Sequence, residues 1–261
     1  MILQTWLTRR KARVGQMTKN AMRGGGEVSM IGDRRVLGLV PARAGSLGLP
    51  GKNLRPLAGR PMIGWTLEAG QGAVTLDRLV VSTDDEAVIG VAETMGVETM
   101  RRPESLAGPT ASVIDAIAHA LETVGGTWDY VVLLQPTSPL RAAADIDGAV
   151  RLCHESGAPS VIGVSPMPKP QSFYGRIEAD GVYRPNPPLP DEAVILNGAV
   201  YVGRPQILLR DRTFQSPDAL AWSMPPERGW DVDTLFDFVV CEALWPHVRG
   251  DESRSLGGVR R

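Results

Sequence analysis

The sequence predicts an α/β protein in which a mostly parallel sheet is flanked by helices. From Val36 onward, short apolar runs alternate with amphipathic stretches of helical length. The apolar runs are nearly continuous, which is typical of strands that are covered on both faces. Strands and helices that alternate at this spacing form parallel sheets wrapped by helices, and such sheets bind ligands at the carboxyl ends of their strands.

Four strands and four helices follow from this pattern. The apolar runs place strands at 36–41, 79–83, 130–135 and 160–164. The stretches between them predict helices at about 62–73, 86–95, 112–124 and 144–155. Pro61 suits the first turn of the first helix, and Thr110 is a candidate cap of the third. Polar or glycine-rich segments follow the first three strands, so we expect those segments to meet at one edge of the sheet.

The pattern changes after about residue 165, where seven prolines fall between 166 and 190. Within this region, 174–184 predicts a hairpin that turns at Asp180-Gly181. A strand resumes at 197–202, and 231–240 forms a loop that leads into a last helix. We expect the apolar, proline-rich excursion at about 165–195 to be a dimerisation element.

A glycine-rich loop after the first strand is the most informative motif. Its three glycines let backbone N–H groups approach phosphate oxygens, while Arg43 and Lys52 supply positive charge. Asn53 after Lys52 excludes the Walker pattern G-x-x-x-x-G-K-[ST], and the glycine spacing excludes the dinucleotide fingerprint G-x-G-x-x-G. The loop therefore predicts a triphosphate-binding site of another kind.

Composition excludes several classes of function. No apolar run reaches the roughly 20 residues that span a bilayer, so we expect no membrane partner. The net charge is −1, but eight Lys and Arg lie in 1–35, and the remainder carries 20 basic against 27 acidic side chains. This mildly acidic body argues against nucleic acid as a partner. We interpret Cys153 and Cys241 as reduced core residues, because two cysteines make neither a disulfide framework nor a metal site.

The first 35 residues form a basic extension in which Glu27 is the first acidic residue. The extension could be an organellar transit peptide, a basic arm or translated sequence upstream of a start near Met30, and we favour the last. The predicted organisation is therefore an extension at 1–35, one domain at 36–248 and a tail at 249–261.

Six sequence blocks occur in an order that matches a known family. They are Pro41-Ala42-Arg43…Lys52-Asn53, Val81-Ser82-Thr83-Asp84, Arg102-Pro103…Leu106-Ala107…Thr110-Ala111-Ser112, Gln135-Pro136-Thr137-Ser138-Pro139-Leu140-Arg141, Asn197-Gly198-Ala199-Val200-Tyr201 and Asp231-Val232-Asp233-Thr234. The ordered set resembles the cytidylyltransferases that activate acidic sugars, above all the CMP-sialic acid synthetase (acylneuraminate cytidylyltransferase) family. The resemblance extends from about Val36 to Leu244.

This resemblance implies a Rossmann-like fold of the nucleotide-diphospho-sugar transferase type, a homodimer and a cytoplasmic location. The implied partners are CTP and a 2-keto-3-deoxy sugar acid, and the implied cofactor is Mg²⁺. In the implied reaction, the anomeric hydroxyl of the sugar attacks the α-phosphorus and pyrophosphate leaves. Positioning and charge neutralisation then supply most of the catalysis, because the reaction needs no protein nucleophile.

The resemblance also assigns roles to individual residues. The expected catalytic residues are Arg43, Lys52 and Asp233. The expected nucleotide-binding residues are Ala42, Arg43, Ser46, Lys52, Asn53, Arg102, Ser82 and Asp84. The expected sugar contacts are Gln135, Asn197 and Arg141. The expected Mg²⁺ ligands are Asp231 and Asp233, which alternate on an extended segment and offer the hard oxygen atoms that Mg²⁺ prefers.

Several of these residues have structural alternatives. Arg102 could be a surface arginine while its neighbour Arg101 binds the base. Asp84 and Asn197 could be turn residues, and Arg141 could cap a helix end. An Asp-x-Asp segment before a helix could also be a cap alone.

Two departures from the family pattern leave the function open. Leu47 stands where the family has Lys, and Gly108-Pro109 replaces the usual Asp before Thr110. A non-catalytic homologue that binds nucleotide or sugar is therefore one alternative, and a transferase for another nucleotide or acceptor is a second. The region before Asn197 lacks the family's Gln/Arg-rich stretch, so the sugar could be a sialic acid, another nonulosonate or 3-deoxy-manno-octulosonate.

Overall fold

The computed structural model describes residues 31–45, 48–106, 108, 111–187 and 193–249. These residues form eleven strands: β1 (Val36–Pro41), β2 (Pro56–Leu57), β3 (Arg60–Pro61), β4 (Arg78–Thr83), β5 (Glu98–Arg101), β6 (Tyr130–Leu133), β7 (Ser160–Pro166), β8 (Gly175–Ile177), β9 (Tyr183–Pro185), β10 (Val194–Gly203) and β11 (Leu220–Ser223). They also form six α-helices: α1 (Met62–Gly72), α2 (Glu86–Thr94), α3 (Val113–Val124), α4 (Ala143–Ser156), α5 (Pro205–Asp211) and α6 (Leu235–Val248).

The main sheet has seven strands in the order β11-β7-β10-β6-β1-β4-β5. Neighbouring strands run parallel, except that β10 lies antiparallel to both β6 and β7. In the centre, Val40 of β1 pairs with Val81 of β4, and Leu39 pairs with Leu133 of β6. The predicted mostly parallel α/β sheet is therefore confirmed.

Helices cover both faces of this sheet because side chains alternate along each buried strand. Leu37 and Leu39 of β1 point into a core that α3 and α5 close. Val36 and Val40 point into the opposite core, which packs against α1, α2 and α4. A third, smaller core lies beneath α6 and contains Trp65, Val232 and Phe238, among others. This third core anchors the segment before α6, which carries Asp231 and Asp233.

The predicted elements agree with the structure to within a few residues, but some elements were missed. The sequence reading did not predict β2, β3, β5, β11 or α5, which are short or lie at edges of the fold. The cap of α3 was also predicted wrongly, because the helix begins one residue after Ser112. The Ser112 side chain accepts a hydrogen bond from the Ile114 amide, and the Asp115 carboxylate accepts one from the Ser112 amide.

The proline-rich excursion contains the predicted hairpin, in which β8 pairs antiparallel with β9. Gly181 takes a positive φ of 84° at the turn, and the Asp180 carboxylate accepts a hydrogen bond from the Val182 amide. Every residue of β8 and β9 is exposed, unlike the residues of the central strands. The excursion therefore extends beyond the cores of the main sheet.

Several predicted features lie outside the described residues, namely most of the basic extension (1–30), Leu47, Pro109, Thr110, 188–192 and the residues from 250 onward. Both cysteines are described, and each is a buried free thiol, as predicted. Within the described ranges, no helix is long and apolar enough to cross a bilayer.

Candidate active site

A cleft of about 460 Å³ opens at the carboxyl edge of the sheet. It lies where the chain leaves β1 and β6 and where the segment before α6 passes close to both. Seven of the predicted site residues line it: Arg43, Lys52, Asn53, Arg102, Gln135, Asp231 and Asp233. The expectation that separate post-strand segments meet at one edge is therefore confirmed.

Lys52 lies in a short 3₁₀ turn that begins after Gly51, whose φ of 66° favours glycine. Its ammonium group donates to the Asp233 carboxylate and to the Val232 carbonyl oxygen, each at 2.9 Å. Gly48 of the same loop packs directly against the backbone carbonyl of Asp233, so a side chain could not fit there. The glycine-rich loop and the segment before α6 are thus held together, which places the Lys52 ammonium group next to the Asp233 carboxylate in the cleft.

Asp231 differs from Asp233 in its surroundings. The Asp233 side chain is 70% exposed, whereas Asp231 is partly buried, and this burial raises the pKa of the Asp231 carboxyl group. Hydrogen bonds from Thr137 and Ser138 oppose the shift by favouring the ionised form. Asp231 is therefore a carboxylate held in the wall of the cleft, while Asp233 is an exposed partner of Lys52.

The other loop cation, Arg43, also lies in the cleft. Its guanidinium donates to the Gly108 carbonyl oxygen at 2.9 Å, and Asn53 donates weakly to the Arg43 carbonyl oxygen at 3.4 Å. Asp84 does not line this cleft, but its carboxylate accepts a hydrogen bond from the Ala44 amide at 2.8 Å. Asp84 thus holds the start of the phosphate loop, which is an indirect contribution to the site.

Arg102 is the arginine that faces the cleft, and Arg101 is not. The Arg102 side chain is buried and donates to the hydroxyl group and the carbonyl oxygen of Ser82, at 3.1 and 3.0 Å. Burial lowers the pKa of Arg102, and the nearby carboxylate of Asp84 partly offsets this effect. Arg101 lies on the surface and pairs with Glu86. The geometry therefore favours Arg102 over Arg101 as the group that reaches a bound nucleotide.

Three other predicted contacts lie beneath the surface of the cleft. Ala42 and Ser82 have their backbone groups paired inside the fold, and the Ser82 hydroxyl is bonded to Arg102. The Asn197 side chain is buried, where it donates to Ser165 and accepts from the Ala199 amide. These residues support the wall of the cleft and do not form it.

The prediction that Arg141 contacts the sugar is wrong. Its side chain is fully buried, with hydrogen bonds to the Thr66 hydroxyl and to the Gln135 carbonyl oxygen. Unlike Arg102, this guanidinium does not line the cleft, so it is not placed to contact a ligand there. The alternative of a helix-end cap is not observed either, because α4 receives its cap from Asp145. Ser46 lies outside the described residues.

The sequence reading missed one end of the cleft. This end is mostly apolar and is formed by Leu106, Ala111, Ser112, Val113 and Ala116, at the start of α3. Three of these residues belong to the third matched block, so the block itself was the available signal. Thr137 was also underestimated, because it lines the cleft and bonds to Asp231 and does not merely shape a turn.

A cleft with cations and carboxylates at the carboxyl edge of a mostly parallel sheet defines a nucleotide-binding α/β protein. Comparison with known proteins narrows this class. The cytidylyltransferase family model matches residues 37–179. The chain is 34% identical over 224 residues to CMP-N,N'-diacetyllegionaminic acid synthase of Legionella pneumophila, and the match covers 80% of this chain and 96% of that protein. The chain therefore belongs to the cytidylyltransferase family and is a nucleotidyltransferase.

Other relatives agree with this assignment. The chain is 29% identical over 221 residues to N-acylneuraminate cytidylyltransferase of Escherichia coli; the match covers 78% of this chain and 50% of that protein. The solved structure of CMP:2-keto-3-deoxy-manno-octonic acid synthetase complexed with CTP superposes with a TM-score of 0.62 at 18% identity, covering 82% of this chain and 99% of that chain. The structure of 4-diphosphocytidyl-2C-methyl-D-erythritol synthase from Anaerococcus prevotii gives the same TM-score at 13% identity, covering 84% and 99%. The two structures support the fold.

Proposed function

We propose that this chain transfers CMP from CTP to the anomeric hydroxyl of an acidic 2-keto-3-deoxy sugar and releases pyrophosphate. The observation that carries the proposal is the single cleft that gathers Arg43, Lys52, Asp231 and Asp233. Two cations suit a triphosphate, and two carboxylates suit a divalent metal ion bound to it. Membership of the cytidylyltransferase family supports CTP as the donor.

In the proposed reaction, the sugar oxygen forms a bond to the α-phosphorus, and the bond from that phosphorus to the leaving pyrophosphate oxygen breaks. The hydroxyl proton is released to solvent. The chain contributes positioning and charge: Arg43 and Lys52 bind the triphosphate and stabilise the negative charge that grows on pyrophosphate. Asn53 and Arg102 also line the cleft, and their amide and guanidinium groups suit the recognition of cytidine.

Asp231 and Asp233 fit Mg²⁺ as the cofactor. Both line the cleft and offer hard oxygen ligands, and among the described residues no cluster of three or more acidic, His or Cys side chains could hold a metal ion alone. Mg²⁺ is commonly bound by one or two carboxylates together with phosphate oxygens and water. When bound, the ion would supply positive charge next to the triphosphate. Lys52 would then exchange its contact with Asp233 for a phosphate oxygen.

For the acceptor, we propose a sialic acid or a related nonulosonate. The name of the Legionella pneumophila relative supports this choice, because it describes the synthesis of a CMP-linked nonulosonate. The match to this chain covers nearly the whole length of that relative. Gln135 lines the cleft beside Asp231 and is the side chain that we assign to the sugar. We also propose a cytoplasmic location, because the donor CTP is an intracellular metabolite.

A second copy of this chain is the partner that we propose for the excursion. Side chains that are large, apolar and exposed concentrate there: Phe173, Ile177, Val182, Tyr183, Val194, Ile195 and Leu196. Monomeric proteins rarely leave so many apolar side chains together in water. An isologous contact between two excursions would cover these side chains on both copies at once.

The experiment that tests the reaction is pyrophosphate release from CTP, with and without Mg²⁺, across a panel of nonulosonic and octulosonic acids. We expect release with at least one nonulosonate, and none after chelation of the metal. Asp231→Asn should abolish the metal-dependent release, whereas Asp211→Asn is a matched change at an exposed carboxylate that does not line the cleft. CTP binding measured by calorimetry, without turnover of any sugar, would instead support a non-catalytic homologue.

A further inference from the structure

Among the described residues, Arg141 is the largest fully buried side chain, and it carries a charge. Its guanidinium donates to the Thr66 hydroxyl of α1 at 2.9 Å and to the carbonyl oxygen of Gln135. Within the described ranges, no carboxylate lies within ion-pair distance of it. Its electrostatic support comes from Asp231 and Asp145, which lie farther away.

Burying this charged side chain carries a desolvation penalty, so it is a poor way to stabilise the fold. Burial lowers the pKa of Arg141 to about 9, which measures how strongly the site disfavours the charged form. An apolar side chain of similar volume would fill the same space without that penalty. The hydrogen bonds of the guanidinium therefore point to a role in fixing the backbone that it contacts.

The contacted backbone is the turn from Gln135 to Ser138, which carries several parts of the candidate site. The Gln135 side chain lines the cleft, and its amide oxygen packs against Gly198, where an added Cβ would lie only 2.6 Å away. In the same turn, Thr137 and Ser138 hydrogen-bond to the Asp231 carboxylate. The Thr137 carbonyl oxygen also accepts from the Val232 amide at 2.7 Å. One turn thus sets both Gln135 and Asp231.

We propose that Arg141 is a positioning residue that ties this turn to α1 through Thr66 and thereby places Gln135 for the acidic sugar. The inference rests on the proposed function for the identity of the ligand, but not for the contacts. Arg141 touches neither substrate. Its planar guanidinium spans two acceptors on different elements, Thr66 Oγ1 and the Gln135 carbonyl oxygen, which a lysine ammonium on a flexible stem cannot hold in the same fixed geometry.

Arg141→Lys keeps the charge but removes this two-point contact, and it is the first variant to test. We expect kcat/KM for the sugar to fall by roughly tenfold or more, because small displacements of a substrate-positioning group have large effects on rate. The dissociation constant of CTP, measured by calorimetry without Mg²⁺ because the same turn also holds Asp231, should change by less than about twofold, since Arg43, Lys52 and Arg102 lie on other segments. An equal loss for sugar and CTP would overturn the proposal.

A matched pair at Thr66 tests the same link if Arg141→Lys does not fold. Thr66→Val removes the hydroxyl group at nearly constant volume, whereas Thr66→Ser retains it. We expect sugar kcat/KM to fall several-fold, by about the effect of one lost hydrogen bond, in the valine variant and to stay near the parent value in the serine variant. Equal impairment of both variants would indicate packing at Thr66 and would contradict the proposal.

Hydrogen exchange measured by mass spectrometry separates this inference from the proposed reaction. In Arg141→Lys and Thr66→Val, amides in 134–138 should exchange faster, while those of β1 should not change. This result is expected even if the parent protein turns over none of the sugars, which would refute the proposed reaction alone. Unchanged exchange in 134–138 in both folded variants would refute the positioning role.

Discussion

The carboxyl edge of the main sheet and the proline-rich excursion differ in what surrounds their side chains. At the edge, charged and polar groups lie among partners: Lys52 bonds to Asp233, and Arg102 bonds to Ser82. In the excursion, Phe173 and Ile177 are apolar yet 71% and 77% exposed. The boundary runs through β10, whose first three residues are exposed and whose next four are buried.

The two regions therefore differ in the kind of partner that they suit. The walls of the cleft are cross-linked by hydrogen bonds between distant segments, so this chain forms the cleft by itself. The excursion has its own backbone pairing between β8 and β9, but among the described residues its large apolar side chains are left exposed. A small polar ligand suits the first region, and another protein surface suits the second.

The largest expected effect comes from removing the central cation of the edge. Lys52→Ala should lower kcat by about 10²–10³, because a preorganised charge that stabilises the leaving pyrophosphate is lost. The melting temperature should hardly change, since an exposed carboxylate is the lysine's only charged partner in the described part of the chain. Steady-state pyrophosphate release with thermal denaturation measures both quantities. Lys52→Arg is the control that retains charge, and near-normal turnover of Lys52→Ala would contradict the assigned role.

Apolar side chains in the two regions should differ in how much they contribute to the free energy of unfolding. Leu39→Ala removes a fully buried side chain of β1 and should lower the free energy of unfolding by about 3 kcal/mol. This loss should not depend on protein concentration. Ile177→Ala should cost less, and its cost should grow with concentration if a second copy covers it. Urea unfolding at high and low concentration decides between these outcomes; a concentration-independent loss at Ile177 would place that side chain in the monomer's own packing.

A charged substitution in the excursion tests directly whether a second copy covers this region. Ile177→Asp should raise the dimer dissociation constant by at least about tenfold, because a carboxylate would be buried without a partner. Ile177→Val serves as the control that keeps the side chain apolar. Sedimentation equilibrium measures the dissociation constant, and a parent protein that stays monomeric at high concentration would refute the proposed dimer.

The smallest effect is expected at the departure from the family pattern. Leu47→Lys adds a cation to the phosphate loop and should raise kcat/KM for CTP several-fold, by about the effect of one partly screened charged contact. Leu47→Gln, which adds polarity without charge, is the control. An unchanged rate in Leu47→Lys would mean that Arg43 and Lys52 already supply the charge that the triphosphate requires.

Local patterns were enough to predict much of the fold and part of the site. The strands at 36–41 and 79–83 were predictable because doubly covered strands are continuous apolar runs, and β1 has the predicted bounds. The place of the glycine-rich loop at the cleft was predictable because glycines and cations after such a strand have few other uses. The short strand β11 and the helix α5 were missed, since short segments carry too little periodicity to be read.

The direction of individual polar side chains was not predictable in the same way. Arg141 and Asn197 belong to matched blocks, yet both are buried and bonded within the protein. Lys52 and Gln135 belong to matched blocks as well, and both line the cleft. A one-dimensional motif contains the ligand contacts and their supports together, and it does not distinguish them.

The sequence by itself determined the α/β class, the phosphate loop and the set of segments that form the site. It did so because backbone propensity, apolar periodicity and glycine placement act over short distances along the chain. The tertiary structure alone decided that Asp231 is buried beside Thr137 while Asp233 reaches Lys52, and that Arg141 supports the wall beneath Gln135. Those outcomes depend on which distant segments pack together, since burial and hydrogen-bond partners are properties of the assembled fold.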